Sequence, residues 1–434
     1  MARSPGQPEA PGQPEASGQP DARITPIRQG LIAPSRPRDP RIDAFRGLAL
    51  MMILIDHMPG NPWEQITVRN IGFSDAAEAF FIMSGIAAGI AYSPAVNRWL
   101  TGQTRLWDAM APMWRRAWTL YGVQIILTVT AIGLFSWSAG VFYRAEFRDI
   151  HNLSQLYDDT GAALVGLPIL SFQIGYVNIL PTYIVLLIAA PFLLMAGLRA
   201  PMVTLVAAVA LWWLAGMWKW NIPNYPGNGA WFLNPLTWQL IFVIGLLIGI
   251  RHRRDRRLVP LSWPLFAATL AFLLFAFAWR HIPDLGGFMN HKMAQLGSLG
   301  APRNITTHDK TLLALPRLLH ILALAYVLSC LPFVTRLCAH PAAAPLRLMG
   351  GHGLLVFGLG TVLALAGQIL MIVEPDVAWL PWLLPVAGVL ICYAASRIAD
   401  ASSMRGGRPV IPALPAGVEG AAPTLPVVAG GRLR

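Results

Sequence analysis

The chain has few charged side chains and almost no cysteine. Only 12% of its 434 residues are Asp, Glu, Lys or Arg, whereas 55% are hydrophobic. Soluble domains carry about 25% charged residues, so the composition argues against a soluble protein and predicts a polytopic membrane protein. The three cysteines have spacings typical of neither a disulfide framework nor a zinc site, and we interpret them as packing residues. They are Cys330, Cys338 and Cys392.

Several motifs of soluble enzymes are also missing. The sequence has no GxSxG nucleophile elbow, no P-loop, no dinucleotide-binding fingerprint and no cluster of metal-ligand residues. We therefore expect no metal site and no tightly bound cofactor. The first 40 residues contain no apolar run, so we expect no secretory signal peptide there.

Both ends of the chain are predicted to be disordered tails. Residues 1–40 contain the repeat GQPEA, GQPEA, GQPDA, and residues 401–434 are rich in Gly, Pro and Ala. Such segments bury too little apolar surface to fold. The sequence therefore predicts a membrane domain over residues 41–400.

Ten apolar segments in this domain reach or approach the ~20 residues that a membrane-spanning helix needs. We predict an all-α, polytopic helical bundle with about ten transmembrane helices. The segments are residues 42–58, 75–93, 115–138, 179–198, 201–219, 235–250, 261–279, 312–334, 350–373 and 377–397.

The distribution of basic residues predicts the orientation of this bundle. With ten spans and the N-terminus inside, 24 of the 33 Lys and Arg residues fall on the cytoplasmic side, where a basic excess is normal. We therefore expect both termini in the cytoplasm. The net charge of +12 then reflects topology, as does the basic loop 251–257, and no nucleic-acid partner is predicted.

The first apolar segment, RGLALMMILIDHM, carries Arg46 near its start and His57 near its end. Eleven residues of α-helix place the two side chains on one face, about 16 Å apart along the axis. Asp43 precedes Arg46 by one turn and is expected to pair with it. This arrangement suits an enzyme that binds an anionic donor from the cytoplasm and uses imidazole as a base. The alternative is that Arg46 reaches the interface and Asp56-His57 simply ends the helix.

Two carboxylates are predicted at the outer start of the second span, where His57 is also expected. Asp75 and Glu78 are one helical turn apart. A carboxylate beside a histidine holds its tautomer and raises its basicity, as a general base requires. The alternative is that Ser74 caps the helix and that the helix dipole favours both carboxylates.

Further polar residues lie in the third and eighth spans. Arg115 and Arg116 open the third span at the predicted cytoplasmic face, where paired guanidinium groups bind phosphate well; the basic bias of that face explains them equally. Arg317 and His320 lie one turn apart inside the eighth span. Polar residues at this depth are more often functional than anchors at the membrane interface.

Other residues fit packing or interfacial roles as well as functional ones. Gly85 and Gly89 form a GxxxG step that permits close helix contact. The remaining candidates of this kind are Asn178, Pro181, Tyr183, Asn234, Trp238, Gln239 and His352.

Five motifs together resemble the OpgC family. They are RIDAFRGLALMMILIDHMPGN, NIGFSDAAEAFFIMSG, NILPTYIVLL, WFLNPLTWQLIFVIG and DKTLLALPRLLHILALAYVLS, in this order between residues 38 and 370. The resemblance implies a polytopic inner-membrane enzyme that succinylates osmoregulated periplasmic glucans. The implied donor is an acyl-CoA, succinyl-CoA in this family, and the implied partners are the lipid bilayer and the glucan acceptor.

The chain is also similar to the wider acyltransferase-3 group, whose first span carries an Arg, ten residues and then a His. Arg46 and His57 match this spacing, and FFIMSG is similar to the FF-x-x-SG segment of that group. The resemblance implies that His57 is the acyl-transfer base and that Arg46 helps to place the donor. The group often has Arg-x-x-Arg on its third span, whereas this chain has the adjacent pair Arg115-Arg116.

The combined prediction is an O-acyltransferase that uses a cytoplasmic acyl-CoA. Direct transfer to a glucan hydroxyl and a relay through acylated His57 are both open, and Arg317 or His320 is expected to stabilise the oxyanion or hold the succinate carboxylate. The expected donor-binding residues are Arg46, Arg115 and Arg116. The expected catalytic residues are His57, Asp75, Glu78, Arg317 and His320.

Three alternatives remain at the level of sequence. One is an O-acetyltransferase for another cell-surface polysaccharide. A secondary transporter is the second, although the two related halves common in transporters are not evident. The third, a scaffold protein, leaves the charged residues in the spans unexplained. Self-association is left open.

Overall fold

A computed structural model describes residues 39–405. The first described helix begins at Pro40 and the last reaches Arg405. Apart from these margins, the two predicted tails lie outside the described residues. Asp39 caps the first helix, because its side chain accepts a hydrogen bond from the backbone N–H of Arg41.

The described chain is built from α-helices and short 3-10 turns, and it contains a single isolated β-bridge, between Pro223 and Ala230. The 3-10 turns are Pro62–Ile66, Ala145–Arg148, Ile150–Asn152 and Pro341–Ala343. The helices are α1 (Pro40–Asp56), α2 (Val68–Ile71), α3 (Ala76–Leu100), α4 (Leu106–Val141), α5 (Ser154–Asp158), α6 (Thr160–Gly166), α7 (Ile179–Arg199), α8 (Pro201–Trp218), α9 (Pro235–Arg253), α10 (Trp263–His281), α11 (Pro283–Ser298), α12 (Arg303–Thr306), α13 (Leu315–Cys330), α14 (Pro332–Ala339), α15 (Ala344–Gly351), α16 (Gly353–Val373) and α17 (Leu380–Arg405).

Each of the ten predicted segments coincides with one of the longer helices. Eight described helices are long and apolar enough to cross a membrane, namely α3, α4, α7, α8, α9, α10, α16 and α17. A ninth span is obtained if α13 and α14, which meet at a bend of 82°, are counted together. The one predicted segment still unaccounted for, residues 42–58, corresponds to α1. This helix has 17 residues and is short for a span. The protein is therefore a multi-pass helical bundle, with eight to nine qualifying spans where about ten were predicted.

Helices α3 and α9 form the centre of the bundle. The most apolar stretch of α9 is 72% buried inside the protein, whereas that of the peripheral helix α10 is only 11% buried. The large side chains of Phe81, Trp238 and Phe242 are completely buried between the central helices. Because lipid is as apolar as leucine, such close packing, and not the hydrophobic effect alone, holds transmembrane helices together.

Four glycines bring α3 and α9 into backbone contact. A Cβ atom on Gly85 would collide with the carbonyl oxygen of Phe242, and one on Gly89 would collide with that of Leu246. On the other side, Gly245 and Gly249 are blocked in the same way by backbone oxygens of α3. The contacts advance along both helices together, so α3 and α9 run parallel at this glycine crossing. The predicted packing role of the GxxxG step is confirmed.

We expect Gly85→Ala to destabilise the protein by about 1–3 kcal/mol, the range for overpacking of a filled interior. The reason is that the obstructing atoms belong to backbone, which does not move aside as a flexible side chain does. The matched control is Gly133→Ala in α4, where a Cβ meets nothing within 4 Å. SDS-induced unfolding in mixed micelles measures both variants. Equal stability of Gly85→Ala and Gly133→Ala would contradict the close backbone contact between α3 and α9.

The two ends of the bundle differ in chemistry. Helices α1 and α16 run in parallel, since Gly353 at the start of α16 lies against Arg46, and Gly367 lies against Met58. We call the end where α1 and α16 begin the basic end, because it carries Arg46, Arg116 and the loop 251–257. The end where α1 and α16 finish, and where α3 begins, is called the opposite end.

Candidate functional site

A cavity of about 380 Å³ opens into the bundle near its basic end. Arg46 and Arg116 both line it, so the structure brings together two of the three residues predicted to hold the donor. Arg46 also pairs with Asp43 at 3.3 Å, as predicted, and donates to the carbonyl oxygen of Gly350 at 3.3 Å. The rest of the lining comes from Phe80, Ser84, Ala87, Ala88, Ala91, Tyr92, Leu120, Leu180, Tyr183, Phe357 and residues 350–355.

Arg115 does not share this cavity. Its side chain is exposed on α4, one residue before Arg116, which is half-buried and faces inward. Successive residues of a helix are about 100° apart, so an adjacent pair of arginines does not point to one site. Arg115 therefore does not line the cavity with Arg116, and its role as a donor-binding residue stays a prediction.

His57 lies at the opposite end of the bundle, directly after the last residue of α1. Its backbone N–H donates to the carbonyl oxygen of Ile53, and its own carbonyl oxygen accepts from Nε2 of Gln368 in α16. The ring stands edge-on to Tyr176, with 4.8 Å between the ring centroids. Within residues 39–405, the buried Nδ1 has no hydrogen-bond partner.

A compact cluster of charges surrounds the start of α3. Asp75 caps the helix together with Glu78, which accepts from the backbone N–H of Asp75 at 2.9 Å. Arg317 bridges the two carboxylates, with Nε 2.6 Å from Glu78 and Nη2 3.0 Å from Asp75. Lys310 adds a further ion pair with Asp75 at 2.5 Å. Glu78 is completely buried, so Arg317 compensates a charge that has no access to water.

This cluster corrects the predicted partner of His57. Neither Asp75 nor Glu78 hydrogen-bonds to the His57 ring, because both carboxylates are occupied by Arg317 and Lys310. The carboxylates would have to abandon strong cationic partners to bind a neutral imidazole. Lys310 and Asp75 nevertheless lie close enough to His57 to act on it electrostatically.

The sequence offered the alternative that Ser74 caps the second span, and the structure shows a cap formed by a different residue. Asp75, and not Ser74, is the capping residue of α3. The hydroxyl of Ser74 instead lies 2.7 Å from Nδ1 of His320. His320 is completely buried, and its Nε2 has no partner among the described residues and faces Gly72. Arg317 and His320 thus both fasten α13 to the start of α3.

The remaining candidates from the sequence have mainly structural contacts. Asn234 caps α9, and Trp238 donates to the carbonyl oxygen of Lys310 at 3.0 Å. Gln239 donates to the carbonyl oxygen of Ala208 at 2.7 Å. Tyr183 and His352 are different, because both line the cavity at the basic end.

Three residues that the sequence did not single out surround His57. Tyr176 packs against its ring, Gln368 holds its backbone, and His151 contacts both Tyr176 and Gln368. His151 and Tyr176 come from the connection between α4 and α7, which contains only short helices and turns. A histidine in such a connection carries no signal without knowledge of the fold.

Together, these features define a multi-pass helical membrane protein with an arginine-lined cavity at one end and a histidine beside a charge cluster at the other. The family model described as OpgC protein matches residues 38–404, so the chain belongs to the OpgC family. Membership indicates a glucan-modifying acyltransferase. No curated protein and no solved structure matches the chain. The relation to the acyltransferase-3 group remains a prediction.

Proposed function

We propose that the protein transfers a succinyl group from a cytoplasmic acyl-CoA to hydroxyl groups of a periplasmic glucan, across the bacterial inner membrane. The observation that carries this proposal is the cavity at the basic end, where Arg46 and Arg116 face a common space. Two guanidinium groups suit the phosphates of coenzyme A, which they bind through charge-assisted hydrogen bonds. The basic excess supports a cytoplasmic location of this end.

The shape of the cavity supports a path for the acyl chain. Its lining includes Phe80 and Leu180, which lie in the first turns of α3 and α7. Those turns are at the opposite end of the bundle, and Leu180 is only four residues from Tyr176, which contacts His57. His57 does not itself line the cavity, so we propose that a donor held by its phosphates at the basic end reaches from the cavity toward His57 with its thioester.

In the proposed reaction, His57 removes the proton from a glucan hydroxyl, and the oxygen attacks the thioester carbonyl. A C–O bond forms, the C–S bond breaks, and the proton passes to the departing thiolate of coenzyme A. General-base catalysis of this kind contributes about 10²–10⁴-fold in rate. Arg317 or His320 is proposed to contact the oxyanion or the succinate carboxylate; His320 is completely buried, and Arg317 is held by Asp75 and Glu78.

The proposal is tested in a strain that lacks this gene. Complementation with the wild-type gene should restore acidic, succinylated periplasmic glucans, detected by mass spectrometry. Purified protein should release free thiol from succinyl-CoA when glucan from the deletion strain is added, and much less from acetyl-CoA. Equal use of acetyl-CoA would favour an O-acetyltransferase, and unchanged glucans with no thiol release would contradict the proposal.

We expect Arg116→Gln to raise the KM for succinyl-CoA about tenfold or more, since a hydrogen bond to a charged group is worth about 1.5–3 kcal/mol. The neighbouring Arg115→Gln removes the same charge from the same helix but leaves the cavity intact. It should change KM by less than about twofold. Initial-rate measurements on both purified variants give the comparison, and equal effects would exclude the cavity as the donor site.

A further inference from the structure

Gln368 connects two segments of the chain that lie far apart in sequence. Its amide Nε2 donates to the carbonyl oxygen of His57, and its Oε1 lies 2.7 Å from Nε2 of His151. The reverse orientation of the amide would place two acceptor oxygens against each other, at Oε1 and the His57 carbonyl. The orientation is therefore fixed, and His151 must donate through Nε2–H.

His151 is held firmly on its other sides. Its ring stands edge-on to Phe135 at 5.2 Å and to Tyr176 at 5.0 Å between centroids. Burial lowers the pKa of His151 below its usual value, although the hydrogen bond to Gln368 acts in the opposite direction. A neutral ring with its proton on Nε2 is consistent with this contact.

Tyr176 is wedged between the two histidines. Its ring lies 4.8 Å from that of His57 and 5.0 Å from that of His151, with both contacts edge-on. The tyrosine thus fixes one side of the His57 ring. Gln368 fixes the backbone of the same residue from α16.

The backbone that carries these groups is strained. His151, Asn152 and Tyr176 have φ values of 61°, 69° and 65°, in the left-handed region that non-glycine residues rarely adopt. Each such residue costs on the order of 1–3 kcal/mol, and this strain persists only where the surroundings enforce it. The backbone N–H of Gly175 ties the two segments together, donating to the carbonyl oxygen of His151 at 3.1 Å. Local strain of this kind concentrates at functional sites.

We infer that Tyr176, Gln368 and His151 are positioning residues for His57, and that they do the orienting work expected of Asp75 or Glu78. Within the described part of the chain no carboxylate hydrogen-bonds to the ring of His57, so its orientation depends on the edge contact with Tyr176 and on the backbone held by Gln368. His151 acts one step further away, since it locks both of those residues. This inference rests on the proposed function of His57.

The test compares two glutamines with similar structural contacts. Gln368→Leu removes the hydrogen bonds to His57 and His151, whereas Gln239→Leu removes a buried bond to Ala208 in α8. A misplacement of about 1 Å at a reacting group costs about 10²-fold in rate. We expect Gln368→Leu to lower kcat for thiol release from succinyl-CoA about 10–100-fold, with KM changed less than twofold. Gln239→Leu should lower thermal stability by a similar amount without lowering kcat.

The conservative variant of Tyr176 separates positioning from general damage. Tyr176→Phe retains the ring and should keep kcat within about threefold of wild type, whereas Tyr176→Leu should behave like Gln368→Leu. If His57→Ala is inactive but Gln368→Leu has the kcat of wild type, the inference is overturned and the proposed function stands. An inactive wild-type protein, together with unchanged glucans in the complemented strain, would overturn both.

Discussion

Replacement of His57 by alanine is expected to reduce acyl transfer by about 10²–10⁴-fold, the usual contribution of a general base. The protein should remain folded, because within residues 39–405 the His57 ring makes no hydrogen bond and its backbone contacts survive the change. The measurements are the rate of thiol release from succinyl-CoA by purified protein and the acidic fraction of glucans from the complemented deletion strain.

The matched control is His291→Ala. His291 is exposed on α11, where its ring interacts with Gln295 one turn away. This variant removes a histidine without touching the surroundings of His57, so it should retain full activity. If His57→Ala is expressed in the membrane and restores the glucans completely, the assignment of His57 as the base is wrong.

The largest effect on stability is expected from Arg317→Met. The substitution leaves Glu78 buried without its cation and Asp75 with Lys310 alone. Breaking a buried ion pair by removal of one partner typically costs about 3–5 kcal/mol. SDS-induced unfolding in mixed micelles and the yield of folded protein in membranes report the loss.

Two further variants show whether buried charge is the cause. The double variant Glu78→Gln with Arg317→Met removes both charges and keeps the Asp75–Lys310 pair, so it should recover most of the lost stability. Arg303→Met removes an exposed ion pair with Asp309, which should cost at most about 1 kcal/mol. Similar losses in Arg317→Met and Arg303→Met, or no recovery in the double variant, would contradict the role assigned to the cluster.

The sequence predicted the helices well because lipid imposes a strong and local constraint. A span must be apolar along its length, and hydropathy reports this directly, so all ten predicted segments coincide with helices. It did not predict α11, whose residues include Gly286, Gly287 and several polar side chains. Nor did it show that α1 has only 17 residues or that α13 and α14 meet at 82°.

Pairing between distant charges was not predictable. The sequence placed His57 and the carboxylates Asp75 and Glu78 at the same end, which the structure confirms. It also placed Arg317 in the span that starts there, but nothing local reveals which groups meet. A guanidinium between two carboxylates cancels buried charge, and a neutral imidazole does not, so Arg317 and not His57 holds Asp75 and Glu78.

The surroundings of His57 were hidden for a different reason. The positions of Tyr176 and His151 depend on left-handed backbone at non-glycine residues, which no sequence pattern predicts. Gln368 lies in an apolar span, where a single amide side chain commonly forms a hydrogen bond between helices. Only the folded chain brings the three together around one histidine.

The glycine crossing of α3 and α9 bears on how an acyl group passes a membrane. Helix α3 carries the charge cluster at its start, while Ser84 and Tyr92 further along line the donor cavity. Backbone contact with α9 at the centre of the bundle packs the middle of α3 closely against its neighbour. Under the proposed function, the enzyme therefore has no need of the rocking motion by which carriers expose a site alternately to each side. Under the same proposal, the extended coenzyme arm would reach across the distance between the two ends, and only the acyl group would change compartment.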